Sequence, residues 1–254
     1  MNDQQIINFQ CNICGTFCQS PLSNLGREIP CCPVCGSTGR MRSIIHILSI
    51  ELFGDSLILP DFPENMNING IGMSDWFGYA NPLAKKLAYT NTFYHQEPRL
   101  DIKSIDKSQE NSYDFIISSD VFEHIEPPIS IAFDNLFKLL KAGGVTVFSV
   151  PYILQGEEIV ERFPDLYNYS IEKTENGQFF LNNSTKEGKV QTFDNLIFHG
   201  GEGFTVEMRL FSKKSLINSF YKAGFQKIQI YDEPVLKYGI FWKDPWSLPL
   251  SARK

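Results

Sequence analysis

Tyr113 to Pro151, YDFIISSDVFEHIEPPISIAFDNLFKLLKAGGVTVFSVP, holds a strand, a helix and a second strand in one pass. Phe115 to Ser118 is a short apolar run after a polar segment, the pattern of a strand buried on both faces of a parallel sheet. Between Ile129 and Ala142 the apolar residues Ala132, Phe133, Leu136, Phe137 and Leu140 recur at helical steps, which predicts a helix with one face on a core. Gly143 and Gly144 are expected to end it, because glycine adopts the left-handed C-terminal conformation without a Cβ penalty. Val145 to Val150 is a second, β-branched strand. Strand, helix and strand form a right-handed crossover, so the fold class is α/β, a doubly wound and mostly parallel sheet. Ligands of such sheets lie beyond the carboxyl ends of the strands, and that edge carries Ser118, Ser119 and Asp120.

DFIISSDVFEHI, followed by a helix and LLKAGGVTVFSVP, resembles the second half of a class I S-adenosylmethionine-dependent methyltransferase domain of the type 11-like branch. In that branch a strand ends in an acidic residue, Glu-His follows, and leucine-lysine-proline-glycine-glycine closes the next helix. Ala142 stands here where proline is usual, a change that favours helix. The resemblance implies a seven-stranded Rossmann-like sheet and S-adenosylmethionine as cofactor, with Ser119 and Asp120 beside it.

The 254 residues, 43% hydrophobic, are enough for one large domain with a small appendage. A net charge of −6 and a pI near 5.3 give no basic field for nucleic acid. No apolar run has the bilayer-spanning length of about 20 residues, and the polar start MNDQQIINFQ lacks a secretory pattern, so a cytoplasmic protein without membrane partners is expected. In that reducing compartment six cysteines point to metal rather than disulfides.

Cys11-Asn-Ile-Cys14-Gly and Cys32-Pro-Val-Cys35-Gly are two knuckles, with glycine after each second cysteine. Their spacing is that of a zinc ribbon, so Cys11, Cys14, Cys32 and Cys35 are the expected ligands of one structural Zn2+. Cys18 and Cys31 are surplus; only Cys32 gives the two-residue gap to Cys35. Residues 1–38 are the predicted ribbon and 39–254 the catalytic domain. Arg40, Met41 and Arg42 lead directly into an amphipathic helix with Ile44, Ile45, Leu48 and Leu52, ending at Gly54. Without a linker, the ribbon should pack on the domain. Cys-Pro-x-Cys-Gly-Ser followed by arginines and a leucine-rich helix is also similar to the start of some bacterial methyltransferases.

Two segments compete for the first strand of the cofactor domain, Ser56–Asp61 (SLILPD) and Ile68–Asp75 (INGIGMSD), and neither holds the usual Gly-x-Gly-x-Gly. The second is preferred, because a helix-compatible stretch, Asn81 to Ala88, and a strand, Tyr89 to Tyr94, can follow it. Gly70 and Gly72 then allow close backbone approach, with Ser74 and Asp75 at the strand end; the alternative places Asp61 there. The resemblance further implies a ribose contact at the end of the second strand, where Asn91 stands instead of an acid. It also implies an adenine contact at Leu100-Asp101-Ile102, with Asp101 and Ile102 as cofactor residues.

Asp120, Glu123 and His124 open a short helix that Asp120 would cap, and adjacent residues on a helix point about 100° apart, so Glu123 and His124 are not expected to act on one atom. Residues 152–203 read as an insertion, with a hairpin from Gln178 to Phe193, serving as a substrate lid or a homodimer contact. Within it, His199-Gly-Gly-Glu-Gly203 holds a histidine and a carboxylate on a glycine loop, and His199 and His124 are the candidate general bases. Ser212 is the expected N-cap of a last helix that Ala223-Gly224-Phe225 ends, before a strand from Lys227 to Tyr231. The expected function is methyl transfer to a small molecule or a sugar or glycan intermediate. The alternative is a non-catalytic zinc-ribbon scaffold with a degenerate cofactor site, and a nicotinamide enzyme would need a dinucleotide fingerprint that is missing.

Overall fold

The structure is a computed structural model that describes residues 4–200 and 205–254. Its central sheet is built from β3 (Asn65–Met73), β4 (Leu87–Thr92), β5 (Tyr113–Ser119), β6 (Leu140–Ser149), β15 (Lys227–Ile230) and β16 (Leu250–Arg253), in the order β15-β16-β6-β5-β3-β4. β4, β3, β5 and β6 are parallel, while β16 runs antiparallel to both β6 and β15. Alternation of side chains across the sheet divides the core in two. Phe115, Ile117, Val145 and Val147 pack with helix α1 (Gly39–Phe53) and helix α2 (Phe77–Ala84). Ile116, Phe148, Leu250 and Ala252 pack on the opposite face with α3 (Ser130–Leu139) and α4 (Lys213–Ala223).

Of the two candidate first strands, INGIGMSD supplies β3, between β4 and β5. SLILPD is not a strand: Leu59–Asp61 is a turn of 3-10 helix, and Asp61 is exposed. The helix placed at Asn81–Ala88 lies earlier, at Phe77–Ala84, since Leu87 already begins β4. Six strands rather than seven form the sheet among the described residues. Between β4 and β5 the sequence is mostly polar, so Leu100 and Ile102 are buried as isolated anchors and only a single bridge, Phe93 to Arg99, forms.

The α3–β6 junction departs from the glycine-capped expectation. α3 ends at Leu139, and Leu140 is already extended. The β5–β6 register jumps from Tyr113–Leu140 to Phe115–Val145, so Gly143 and Gly144 lie in a bulge of the strand. Gly143 turns it with φ +76°, and a Cβ on Gly144 would meet the Lys141 carbonyl at 2.9 Å. By contrast α4 follows its capping signals: Ser212 and Ser215 form a reciprocal capping box and Gly224 closes the helix with φ +109°.

The ribbon has β1 (Ile6–Gln10) antiparallel to β2 (Phe17–Pro21), and Ile7, Phe9 and Leu25 share one core with α1. Arg42, fully buried on α1, ties it down by donating to the Ser37 carbonyl at 2.7 Å and the Gly239 carbonyl at 2.9 Å. After β6 the chain builds a second layer from short strands β7 (Tyr152–Ile153) and β8 (Val160–Glu161), which flank β14 (Arg209–Ser212). Between them lies a meander, β9 (Asn168–Lys173), β10 (Phe179–Ser184) and β11 (Val190–Phe193), containing the expected hairpin, and then the pair β12 (Phe198–His199) and β13 (Thr205–Val206). No described helix is long and apolar enough to cross a membrane.

Gly70 sits where β3 meets the stacked rings of Phe115 and Tyr89, and a Cβ there would lie 2.2 Å from the Phe115 ring. Overpacking of this kind costs about 1–3 kcal/mol, so Gly70→Ala should lower the urea unfolding midpoint accordingly. An unchanged midpoint would contradict this packing of β3.

Candidate functional site

The carboxyl ends of β3, β4 and β5 open into a cavity of about 1100 Å³. Met73, Ser74, Thr92 and Phe93 line it from the strand ends, and Leu100, Asp101 and Ile102 from the segment that follows β4. Tyr169 and Ile171 on β9, with His199 on β12, close it from the insertion. Arg27 and Glu28 enter from the ribbon and Arg40 from the first turn of α1.

Asp120 ends the β5 edge with φ +55° and caps no helix. Its carboxylate accepts from Arg27 at 2.7 and 3.0 Å and from the Ser149 hydroxyl at 2.9 Å, with Arg40 Nε at 3.1 Å. Arg40 also donates to Ser119 Oγ at 2.7 Å, and Glu28 pairs with both arginines. Burial would raise the Asp120 pKa, but the Arg27 and Arg40 charges outweigh it and hold the carboxyl at about 2.

The residues expected to hold a cofactor divide. Ser74, Asp101, Ile102 and Asp120 line the cavity; Gly70, Gly72, Asp75, Asn91 and Ser119 do not. The Cβ side of Gly72 faces Tyr89 and Asp75: a Cβ there would lie 2.0 Å from the Tyr89 hydroxyl and 2.1 Å from Asp75 Oδ2. Asp75 is buried and accepts from the hydroxyls of Tyr79 and Tyr89. Burial pushes its carboxyl up to about 6, against the lowering effect of those two hydrogen bonds. Asn91 is also engaged, accepting from the Asp75 N–H and donating to the Asp75 carbonyl, both at 2.8 Å. Asp101 uses Oδ1 to accept the Lys103 N–H at 2.9 Å, the bond of a turn.

Glu123 and His124 occupy one turn of 3-10 helix, Phe122–His124, and their side chains converge, contrary to the divergence expected of helical neighbours. Glu123 Oε1 lies 3.6 Å from His124 Nε2 and 3.6 Å from Nδ1 of His199, which β12 brings across the cavity. His124 Nδ1 is 2.9 Å from the Val206 carbonyl, and His199 Nε2 is 3.2 Å from Glu207 Oε2. Burial pushes the Glu123 carboxyl up to about 7 and lowers His124, whereas the Glu123 contact raises His199. Gly201, Glu202 and Gly203 of the glycine loop lie outside the described residues. Sequence reasoning missed Arg27, Glu28, Tyr169 and Glu207 here; the usable signal was a pair of arginines, Arg27 and Arg40, flanking the second knuckle of an acidic chain.

The sulfurs of Cys11, Cys14, Cys32 and Cys35 all lie within 4.8 Å of one another, with Cys11–Cys35 and Cys14–Cys32 at 3.6 Å. Gly15 and Gly36 take positive φ and close the knuckles by donating to the carbonyls of Cys11 and Cys32. Two thiolates about 2.3 Å from a tetrahedral zinc are separated by about 3.8 Å, so this donor set fits that ion. Cys31 instead accepts from Arg42, and Cys18, outside the four-sulfur cluster, places its sulfur 3.8 Å from that of Cys32.

A family profile described as a methyltransferase domain matches residues 67–230. No curated protein matches the sequence. Among solved structures, a 1,6-didemethyltoxoflavin-N1-methyltransferase from Burkholderia thailandensis, with bound 1,6-didemethyltoxoflavin and S-adenosylhomocysteine, is similar at 14% identity and TM-score 0.45 over 84% of this chain and 77% of that one. An amino pentose methyltransferase from Micromonospora echinaspora is similar at 12% identity and TM-score 0.47, over 86% and 92% of the two chains. A sugar N-methyltransferase from Streptoalloteichus is similar at 10% identity and TM-score 0.46, over 85% and 87%.

Asp120→Asn should leave Arg27 and Arg40 undercompensated and cost about 2 kcal/mol at neutral pH, less than a fully buried pair because the site is partly solvated. The folded pKa of about 2 lies below the ordinary 3.8, so the stabilisation is complete above pH 3.8 and is lost as pH falls through 2. Unfolding curves of both proteins across that window should converge toward acid. A difference constant with pH would exclude the ion-pair account.

Proposed function

The chain belongs to the methyltransferase-domain family, whose profile spans more than half of it, and we propose that it transfers a methyl group from S-adenosylmethionine to a small polar acceptor of the sugar or glycan-intermediate class. The cavity at the strand ends carries this reading. Its 1100 Å³ exceeds what a single drug-sized ligand usually fills, leaving room for an acceptor beside the cofactor. The acceptor end, with Tyr169, His124 and His199, is polar and suits a hydroxylated molecule.

When bound, S-adenosylmethionine supplies an electrophilic methyl on a sulfonium. Ser74, Asp101, Ile102 and Asp120 are the residues that would hold it. Asp101 has one oxygen free of its turn to accept from the adenine amino group, and Asp120 would receive the ammonium of the methionine end. Arg27 and Arg40 beside Asp120 suit the carboxylate of that end. Gly72, Asp75 and Asn91 are assigned instead to a packed Tyr-Asp-Tyr cluster that replaces the glycine-rich loop and stiffens the β3 end. The acceptor is held against this fixed edge, and orientation supplies most of the acceleration. In the ribbon, Cys11, Cys14, Cys32 and Cys35 would bind one structural zinc, which holds the loop bearing Arg27 over the cavity.

Isothermal titration with S-adenosylhomocysteine tests the cofactor. Binding is expected, and Asp101→Ala should weaken it by about 1–3 kcal/mol, the cost of an unpaired buried partner. Absence of binding by the wild type would favour the scaffold alternative, to which the filled glycine loop lends its support.

Metal analysis tests the ribbon. One zinc per chain is expected, lost in Cys14→Ser and retained in Cys18→Ser, with S-adenosylhomocysteine affinity falling only in the former. Equal loss of zinc in both variants would remove the four-ligand assignment.

A further inference from the structure

We infer that Glu123, His124 and His199 form a second metal site, for a divalent transition-metal ion, at the acceptor end of the cavity. One ligand atom from each residue lies within 4.8 Å of the others. The two histidine nitrogens each stand 3.6 Å from Glu123 Oε1. Hydrogen bonds between such groups close to about 2.7–3.2 Å. Two ligands on a tetrahedral ion, each bonded at about 2.1 Å, are about 3.4 Å apart. The cluster is therefore spaced for an ion between its members rather than for direct contact.

The carboxylate supplies a second, independent observation. Glu123 is completely buried, and neither of its oxygens has a hydrogen-bond partner among the described residues. A buried carboxylate without a hydrogen bond is unfavourable in its ionised form, and a cation at this point would satisfy it more closely than imidazoles at 3.6 Å do.

The far nitrogens of the two rings are both taken. His124 Nδ1 donates to the Val206 carbonyl at 2.9 Å, which leaves Nε2 with a lone pair toward Glu123. His199 Nε2 meets Glu207 at 3.2 Å, and Glu207 is itself held by Arg162. Metal-binding imidazoles are oriented in this way, by a carbonyl or carboxylate on the other nitrogen. Two imidazoles and one carboxylate favour ions such as Mn2+, Fe2+ or Zn2+ over Mg2+, and leave positions open.

Both histidines line the cavity while Glu123 is buried away from it, so the open positions face the bound acceptor. Given the methyl-transfer reading, on which this clause alone rests, the acceptor presents an oxygen to the ion, and an acceptor with two neighbouring hydroxyls would chelate it. The binding of the ion itself requires only the three side chains.

The experiment uses the full chain with its cysteine site loaded with zinc, titrated with Mn2+ while the electron paramagnetic resonance signal of the free ion is recorded. Thiolates select softer ions, so Mn2+ reports on the nitrogen and oxygen site. One Mn2+ per chain is expected. Glu123→Gln and His199→Gln should each weaken binding by about 100-fold. Glu157→Gln, on an exposed carboxylate, should leave it unchanged. Near-ultraviolet circular dichroism confirms that each variant is folded. A wild type that takes up no Mn2+, or folded Glu123→Gln and His199→Gln variants that bind it as the wild type does, would overturn the site in favour of a histidine–carboxylate ion pair. Titration of the same samples with S-adenosylhomocysteine separates the two readings. Mn2+ uptake without nucleoside binding upholds the ion site and removes methyl transfer, and nucleoside binding without Mn2+ uptake does the reverse.

Discussion

The carboxylate of Asp120, gripped by Arg27 and Arg40, is the contact on which the arrangement of this protein depends. It joins three parts at one point, the ribbon loop, the start of α1 and the carboxyl edge of the sheet, and the Glu28–Arg40 and Arg40–Ser119 contacts reinforce the junction. Apolar contacts place these parts together but are not directional. A bidentate guanidinium–carboxylate pair is directional, and it sets the loop at one orientation over the cavity. Arg27 extends the same tie by donating to the Ser247 carbonyl at 3.0 Å, so the segment before β16 is fixed too. The ribbon is thus a wall of the site as well as a small appendage packed on α1.

Electrostatics across the cavity are graded. At the Asp120 end two arginines keep a carboxylate ionised; at the Glu123 end burial opposes ionisation, and nearby histidines compensate in part. Between them β3 is held by the Asp75 cluster, whose polar groups are all turned inward. Two carboxylates three residues apart in sequence therefore face opposite environments, because the turn after β5 sends one toward the ribbon and the other toward the insertion.

What could be read in the sequence followed local rules. The β5 to β6 crossover, the N-cap and terminal glycine of α4, the cysteine knuckles and the preference for INGIGMSD over SLILPD all rest on patterns between near neighbours in the chain. What escaped rests on distant partners. Gly143 and Gly144 look like a helix stop, yet the pairing of β5 with β6 places them in a bulge. The need for glycine at position 72 likewise comes from Tyr89 on the next strand and from Asp75, which leave no room for a Cβ. Leu250 to Arg253 follow the proline-rich stretch DPWSLP, which carries no strand pattern of its own, although they form the strand between β15 and β6. Glu123 and His124 diverge on an ideal helix, and only the return of β12 makes them neighbours of His199. Tertiary context decides these positions, as it does whenever a residue's partner is far away in the chain.

The insertion of β16 into the sheet bears on how the protein acquires its structure. Its neighbour β6 begins more than a hundred residues earlier, Arg27 finds Ser247 across 220 residues, and Arg42 finds Gly239 across 197. Contacts of such sequence separation close large loops, whose entropy must be lost before the contact returns anything, and they form late. The parallel strands and their helices can collapse first from nearer contacts, leaving an open sheet edge at β6. Until β16 docks, the β6 edge has no partner on that side and is open to pairing with another chain.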